Sequence, residues 1–180
     1  MLKKVLQKMR WVKWKLQYGK RLEAPWKGIF LGSIKMNISK TGKLTLGKGF
    51  SCRDDIVFNI SEGIISIASN TFINDGCKLN ARKNISIGSG CVIGQNVLMY
   101  DHDHNYHRLE TLHNDFITGG IIIGNNVWIG SNVVILRGAS IGDGCVIGAG
   151  CIIKEKIVPG TLVYPEQHKV VRKIREERRA

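Results

Sequence analysis

The side chains best suited to chemistry crowd between Met99 and Ile123, where the chain reads YDHDHNYHRLETLHNDFITGGII. His102, His104, His107 and His113 fall there, beside Asp101, Asp103 and Glu110. An imidazole moves a proton near neutral pH, and a carboxylate beside it can orient the ring or join it in holding a metal. In the run DHDH, His102 and His104 each follow an aspartate, so either could take a proton from a hydroxyl. His102 and His107 stand five apart, as two zinc ligands can, but the third ligand should come from an earlier stretch, and residues 60–100 contain no histidine. A polar loop with four histidines proves no reaction by itself. What decides is the element that carries it.

That element is legible from residue 123 onward. Ile123, Ile129, Ile135, Ile141, Ile147 and Ile153 recur at every sixth position, giving hexads that run IGNNVW, IGSNVV, ILRGAS, IGDGCV, IGAGCI and IKEKIV. A six-residue beat fits neither a helix of 3.6 nor a simple hairpin, but it fits a parallel β-helix of short strands with the isoleucines stacked as a core ladder. The beat also runs backward through Met99, Ile93 and Ile87, then by an eight-residue step, read as a two-residue bulge at a corner, to Leu79, Ile73 and Ile67. From Pro25 to Ile60 the β-rich pieces are irregular and read as the first, imperfect coils. The histidine segment is therefore a loop leaving the solenoid, where rigid scaffolds commonly place function. Leu162 and Val163 are expected to form a last strand.

Cys77, Cys91, Cys145 and Cys151 each follow a core aliphatic by four positions, a slot held elsewhere by Val97, Val127, Val133 and Ala139. They are expected to be small apolar core residues. Five cysteines with no CxxC pair and no apolar leader point to a reducing cytoplasm. The formal charge of +13 is concentrated at the ends. Such polarity suits an anionic partner. Nothing resembles a nucleic-acid reading helix, an RNA-binding sheet or a zinc module, so nucleic acid is not expected. Residues 1–24 place Leu2, Val5, Leu6, Met9, Val12 and Leu16 at helical spacings among lysines and arginines, with Trp11 and Trp14 flanking the stripe. Two readings stay open: a basic amphipathic helix lying on an anionic membrane, or a cap on the end of the solenoid. The sequence divides into this helix, a β-helix over 25–163 and a basic tail over 164–180, which is a short helix or a solvated terminus.

The hexads, the segment IIIGNNVWIGSNVVI and a histidine 24 residues before Trp128 together resemble the hexapeptide-repeat acyltransferases. The likeness covers about residues 64–163 and is nearest to the galactoside, maltose and surface-polysaccharide O-acetyltransferases. It implies an all-β, left-handed parallel β-helix that assembles as a homotrimer with sites between subunits. It also implies direct acetyl transfer from acetyl-CoA to a hydroxyl, with no metal. Carried over by position, His104 is the general base, with His102 the second choice. His107 and His113 are expected to solvate the loop. Asn74, with Asp101 and Asp103, is expected to meet the acceptor, although Asn74 also reads as a corner asparagine in a left-handed turn. The N–H of Ser131 would receive the oxyanion, Trp128 would line the pantetheine slot, and Ala149 and Lys154 would lie along the CoA arm. Lys169 and Arg172 match basic residues near the nucleotide phosphates. The chain departs from its relatives at PEQHK, Pro165 to Lys169, where they read close to GNPAK and use small residues to admit the adenine.

The leading expectation is thus a cytoplasmic O-acetyltransferase acting on a sugar hydroxyl of a cell-surface or capsular glycan, peripheral to the membrane through its basic helix. The alternatives are a metal-dependent hydratase resembling the γ-type carbonic anhydrases and a non-catalytic solenoid scaffold.

Overall fold

A hexad is long enough for one two-residue strand and one corner, so three hexads close a triangular coil. In the computed structural model, which describes residues 2–25, 30–107, 110 and 113–166, Ile123 lies beside Ile141, Ile129 beside Ile147 and Ile135 beside Ile153, each an eighteen-residue step. Every strand of the three resulting faces pairs in parallel with the strand one coil away. The first face runs from Leu22–Glu23 to Lys156–Ile157, the second from Phe30–Leu31 to Leu162–Val163, and the third from Ile34–Ile38 to Ile152–Ile153. This is the all-β hexapeptide solenoid that the beat predicts.

The six isoleucines of the hexads are all buried, as are Cys52, Cys77, Cys91, Cys145 and Cys151. Burying each aliphatic side chain contributes roughly 1.5–3 kcal/mol, and the ladder repeats that contribution at every coil. Corners need a backbone turned into the left-handed region, which Gly76, Gly90, Gly144 and Gly150 supply along with Asn70, Asn96, Asn126 and Asn132. These stack on one another: a Cβ added at Gly76, whose φ is +75°, would run into the side-chain oxygen of Asn96 one coil on. Asn74 sits at a corner but is not among the left-handed asparagines, so the left-handed part of that reading is corrected.

The imperfect early coils obey the same topology with longer strands, Ile34–Ile38 pairing with Ile56–Ile60 over five residues. The first strand, Leu22–Glu23, already belongs to the first face and pairs with Leu44 and Thr45, inside the segment that the sequence assigns to the helix. The helix itself spans Leu2–Tyr18. The C-terminal residues 167–180, including the expected helix from Lys169, lie outside the described residues.

Candidate active site

The eight-residue step from Leu79 to Ile87 puts Arg82 and Lys83 at the corner between the third and first faces. A widened corner leaves backbone N–H groups pointing inward with no strand partner, and buried donors must be satisfied. Asp101, one coil on, satisfies them. It is fully buried, and its carboxylate accepts from the N–H of Arg82 at 2.8 Å and from those of Lys83 and Asn84 at 2.7 Å each. With no exposed surface of its own, Asp101 serves here as a buried anchor of the corner.

The anchor holds the next residue. His102 Nδ1 lies 2.9 Å from Asp101 Oδ1, which directs the ring's Nε2 away from the carboxylate. A histidine whose Nδ1–H is fixed by a buried carboxylate presents Nε2 as a proton acceptor. His102 is half-buried and opens onto a pocket of about 310 Å³ that it shares with Asn59, Ser61, Asn80 and Arg82. The asparagines form a ladder along the third face, Asn37 Nδ2 donating to Asn59 Oδ1 at 2.6 Å and Asn59 Nδ2 to Asn80 Oδ1 at 2.8 Å.

From His102 the chain enters an antiparallel hairpin, His102–His104 against Phe116–Thr118. Two residues apart on a strand, His102 and His104 share a side of the hairpin. Phe116 lies against both, with ring centroids 5.5 Å from His102 and 4.6 Å from His104. The Arg82 guanidinium sits 3.4 Å over the same phenyl ring. His104 is exposed, whereas His102 is backed by Asp101. Asp103 accepts from Arg137 Nε at 2.7 Å, which ties the hairpin to the next coil, and Gly119 N–H donates to the Asp101 carbonyl at 2.8 Å. His107 is exposed against the Tyr106 ring, and His113 is exposed in a turn. Among the described residues no three His, Cys, Asp or Glu side chains converge as a metal site.

The remaining expected residues sit elsewhere on the triangle. Trp128 projects from the second face and is 57% exposed. Asn74, Ser131 and Ala149 occupy the corner between the second and third faces. Asn74 Oδ1 accepts from the Asp75 N–H at 2.9 Å, and Ser131 Oγ accepts from the Gln95 N–H at 3.2 Å. Lys154 is exposed at the corner between the third and first faces, on the histidine's side of the molecule. Lys169 and Arg172 lie outside the described residues. One chain therefore gathers His102, His104, Asn80, Arg82 and Arg137 along one edge and Asn74, Ser131 and Ala149 along another. The sequence reading missed Asn80, Arg82, Phe116 and Arg137. Arg82 was signalled by the eight-residue step, and Arg137 by being the one charged side chain in the hexad ILRGAS. Phe116 carried no signal, because its place depends on the hairpin's register.

A parallel β-helix with a histidine hairpin leaving one corner defines the class of hexapeptide-repeat transferases. Residues 120–155 match the family model described as bacterial transferase hexapeptide (six repeats). Among solved structures, a maltose O-acetyltransferase from Clostridium difficile 630 is 30% identical, with 73% of this chain and 70% of that one covered at a TM-score of 0.61. A hexapeptide-repeat-containing acetyltransferase from Vibrio cholerae is 27% identical over 73% of this chain and 74% of its own, with a TM-score of 0.63. AntD, an N-acyltransferase from Bacillus cereus, is 20% identical over 93% and 90% at a TM-score of 0.70, a likeness of fold. The chain belongs to the hexapeptide-repeat acyltransferase family and is an acyltransferase. The relatives named here are acyltransferases, not hydratases or scaffolds.

Proposed function

We propose that the protein transfers an acetyl group from acetyl-CoA directly to a sugar hydroxyl, with His102 as the general base. The observation that carries this reading is the fully buried Asp101 carboxylate, 2.9 Å from His102 Nδ1, at the rim of a pocket lined by amides. Nε2 accepts the proton as the hydroxyl oxygen attacks the thioester carbonyl. The tetrahedral intermediate then collapses with cleavage of the carbon–sulfur bond, and the imidazolium returns its proton to the departing CoA thiolate. His104, the position matched by spacing to Trp128, stands two residues on along the same hairpin strand and is assigned to the acceptor side. Amide side chains both donate to and accept from hydroxyls, so Asn59 and Asn80 suit a polyhydroxylated acceptor. Acetyl-CoA as donor is supported by the Vibrio cholerae relative, of which a complex with acetyl-CoA has been solved. The acceptor class is supported by the maltose O-acetyltransferase.

The working form is proposed to be a homotrimer in which one subunit's histidine edge faces its neighbour's Trp128 and Ser131. Two features support it. The groups needed for donor and acceptor lie on separate edges of one chain, and the second face carries an outward apolar column that includes Val92 (46% exposed), Trp128 (57%) and Leu162 (62%). A column of that kind is more than scattered surface apolarity and marks a contact surface. In this arrangement the Ser131 N–H receives the oxyanion, Trp128 and Ala149 flank the pantetheine arm, and Lys154, Lys169 and Arg172 lie toward the nucleotide. We further place the enzyme in the cytoplasm, a compartment that suits five unpaired buried thiols, with the glycan of the cell envelope as acceptor.

The test is release of free CoA from acetyl-CoA across a panel of sugars and envelope glycan fragments, run for wild type, His102→Ala and His104→Ala. Activity that survives in His102→Ala and vanishes in His104→Ala would return the base to His104. Absence of transfer to every hydroxyl acceptor, with transfer to an amino sugar instead, would replace the O-acetyl reading with an N-acyl one.

A further inference from the structure

The N-terminal helix divides its labour between two arcs. One holds the solenoid. Trp14 packs against the core, and the buried Tyr18 donates its hydroxyl to the Met36 carbonyl at 2.6 Å. Arg10 donates to the Gly32 carbonyl at 2.8 Å and Lys15 to that of Leu22 at 2.7 Å. The cap, one of the two readings the sequence leaves open, is therefore present, and it is made by aromatic and basic side chains. The apolar stripe is left over. Met9 is 64% exposed, Val12 43% and Leu16 83%, and in sequence the same helical spacing continues back to Val5 and Leu2. Lys13 and Gln17 line the stripe with them.

We propose that this stripe seats the protein on an anionic membrane surface, with the helix lying along the headgroups. An amphipathic helix binds such a surface through its apolar face together with lysines on lipid phosphates. Residues 1–22 hold Lys3, Lys4, Lys8, Arg10, Lys13, Lys15, Lys20 and Arg21 and no acidic residue. That composition decides the occupant. Two copies of this helix, stripe to stripe, would bring like charges together with no carboxylate on either side to offset them, whereas an anionic bilayer receives both the apolar side chains and the charge. The helix is not long and apolar enough to cross, so it lies on the surface. Its seventeen residues span about 25 Å. The inference does not depend on which histidine is the base or which acceptor is used.

Flotation of the full chain with vesicles tests it. Wild type is expected to float with vesicles of phosphatidylcholine containing phosphatidylglycerol and not with phosphatidylcholine alone, and to be released as salt is raised to about 0.5 M. Val12→Glu and Leu16→Glu should each lower vesicle binding by roughly tenfold or more at an unchanged melting temperature, because neither side chain supports the core. Should a glutamate variant melt early, Leu16→Ser gives the same comparison without an added charge. Equal flotation of wild type and Leu16→Glu, or no flotation of wild type on either vesicle, overturns the proposal. So does a fall in oligomer mass by light scattering in Leu16→Glu, which would assign the stripe to a contact between copies.

Discussion

Two imidazoles that each follow an aspartate rest on different surroundings, and different roles are proposed for them. His102 has a carboxylate held by three backbone N–H groups, and His104 stands exposed against Phe116. His102→Ala is expected to lower kcat by about 10²–10⁴ with little change in melting temperature, while His104→Ala should act mainly on acceptor KM. Asp101→Asn should lower both kcat and stability, since replacing the buried acceptor opposes donors that no water can reach, at a cost of roughly 1–3 kcal/mol. Its kcat loss should exceed what the melting shift explains at the assay temperature. The DHDH run was legible as the seat of the proposed base, but the contact on which the proposal chooses within it was not, because it depends on a corner one coil earlier whose N–H groups are met by Asp101. The thiols were legible too. Burial pushes Cys52 and Cys77 from the ordinary 9.0 up to about 11. The folded state then keeps protons that the unfolded state releases, so this stabilising contribution is whole below pH 9.0 and lost as pH rises toward about 11. Denaturant midpoints measured across that range should fall with pH, by at most about 1.4 kcal/mol per unit for each thiol.

At the scale of elements, the six-residue beat predicts each strand from Trp128–Ile129 to Ile152–Ile153 because two-residue strands leave the pattern no freedom, whereas the next strand, Lys156–Ile157, comes two residues early. The earlier coils hid the beat by using four- and five-residue strands, yet they stack in the same order. Ile135→Ala, in the middle of the ladder, should destabilise by about 2–5 kcal/mol, read by denaturant unfolding. Gly76→Ala should also be costly, about 1–3 kcal/mol, since it must hold a left-handed backbone and displace Asn96. The helix shows what periodicity leaves open: it marks an apolar stripe without saying what covers it, and the solenoid end presents carbonyls of Gly32, Met36 and Leu22, which favour an arginine, a tyrosine and a lysine as partners.

For the molecule as a whole, a single triangle cannot bring its own Trp128 edge to its own histidine edge, because a face separates them. The trimer proposed above predicts a mass three times that of the chain by light scattering. Trp128→Ala should raise KM for acetyl-CoA more than it lowers kcat, since the indole would bind the donor without touching the transferred proton. Spacing to Trp128 points to His104, and the buried carboxylate points to His102; the interval counts residues through a hairpin, whereas the carboxylate contact depends on how the hairpin leaves its corner.

The hairpin enters and leaves through one corner, and Ile85, Ser86 and Ile87 still meet Ile121, Ile122 and Ile123 in the ordinary parallel register. The coils above and below therefore cannot sense how long the excursion is. The corner behaves as a socket: evolution, or an engineer, could plug in a longer or shorter arm to recognise a different recipient molecule while the stacked frame stays as it is.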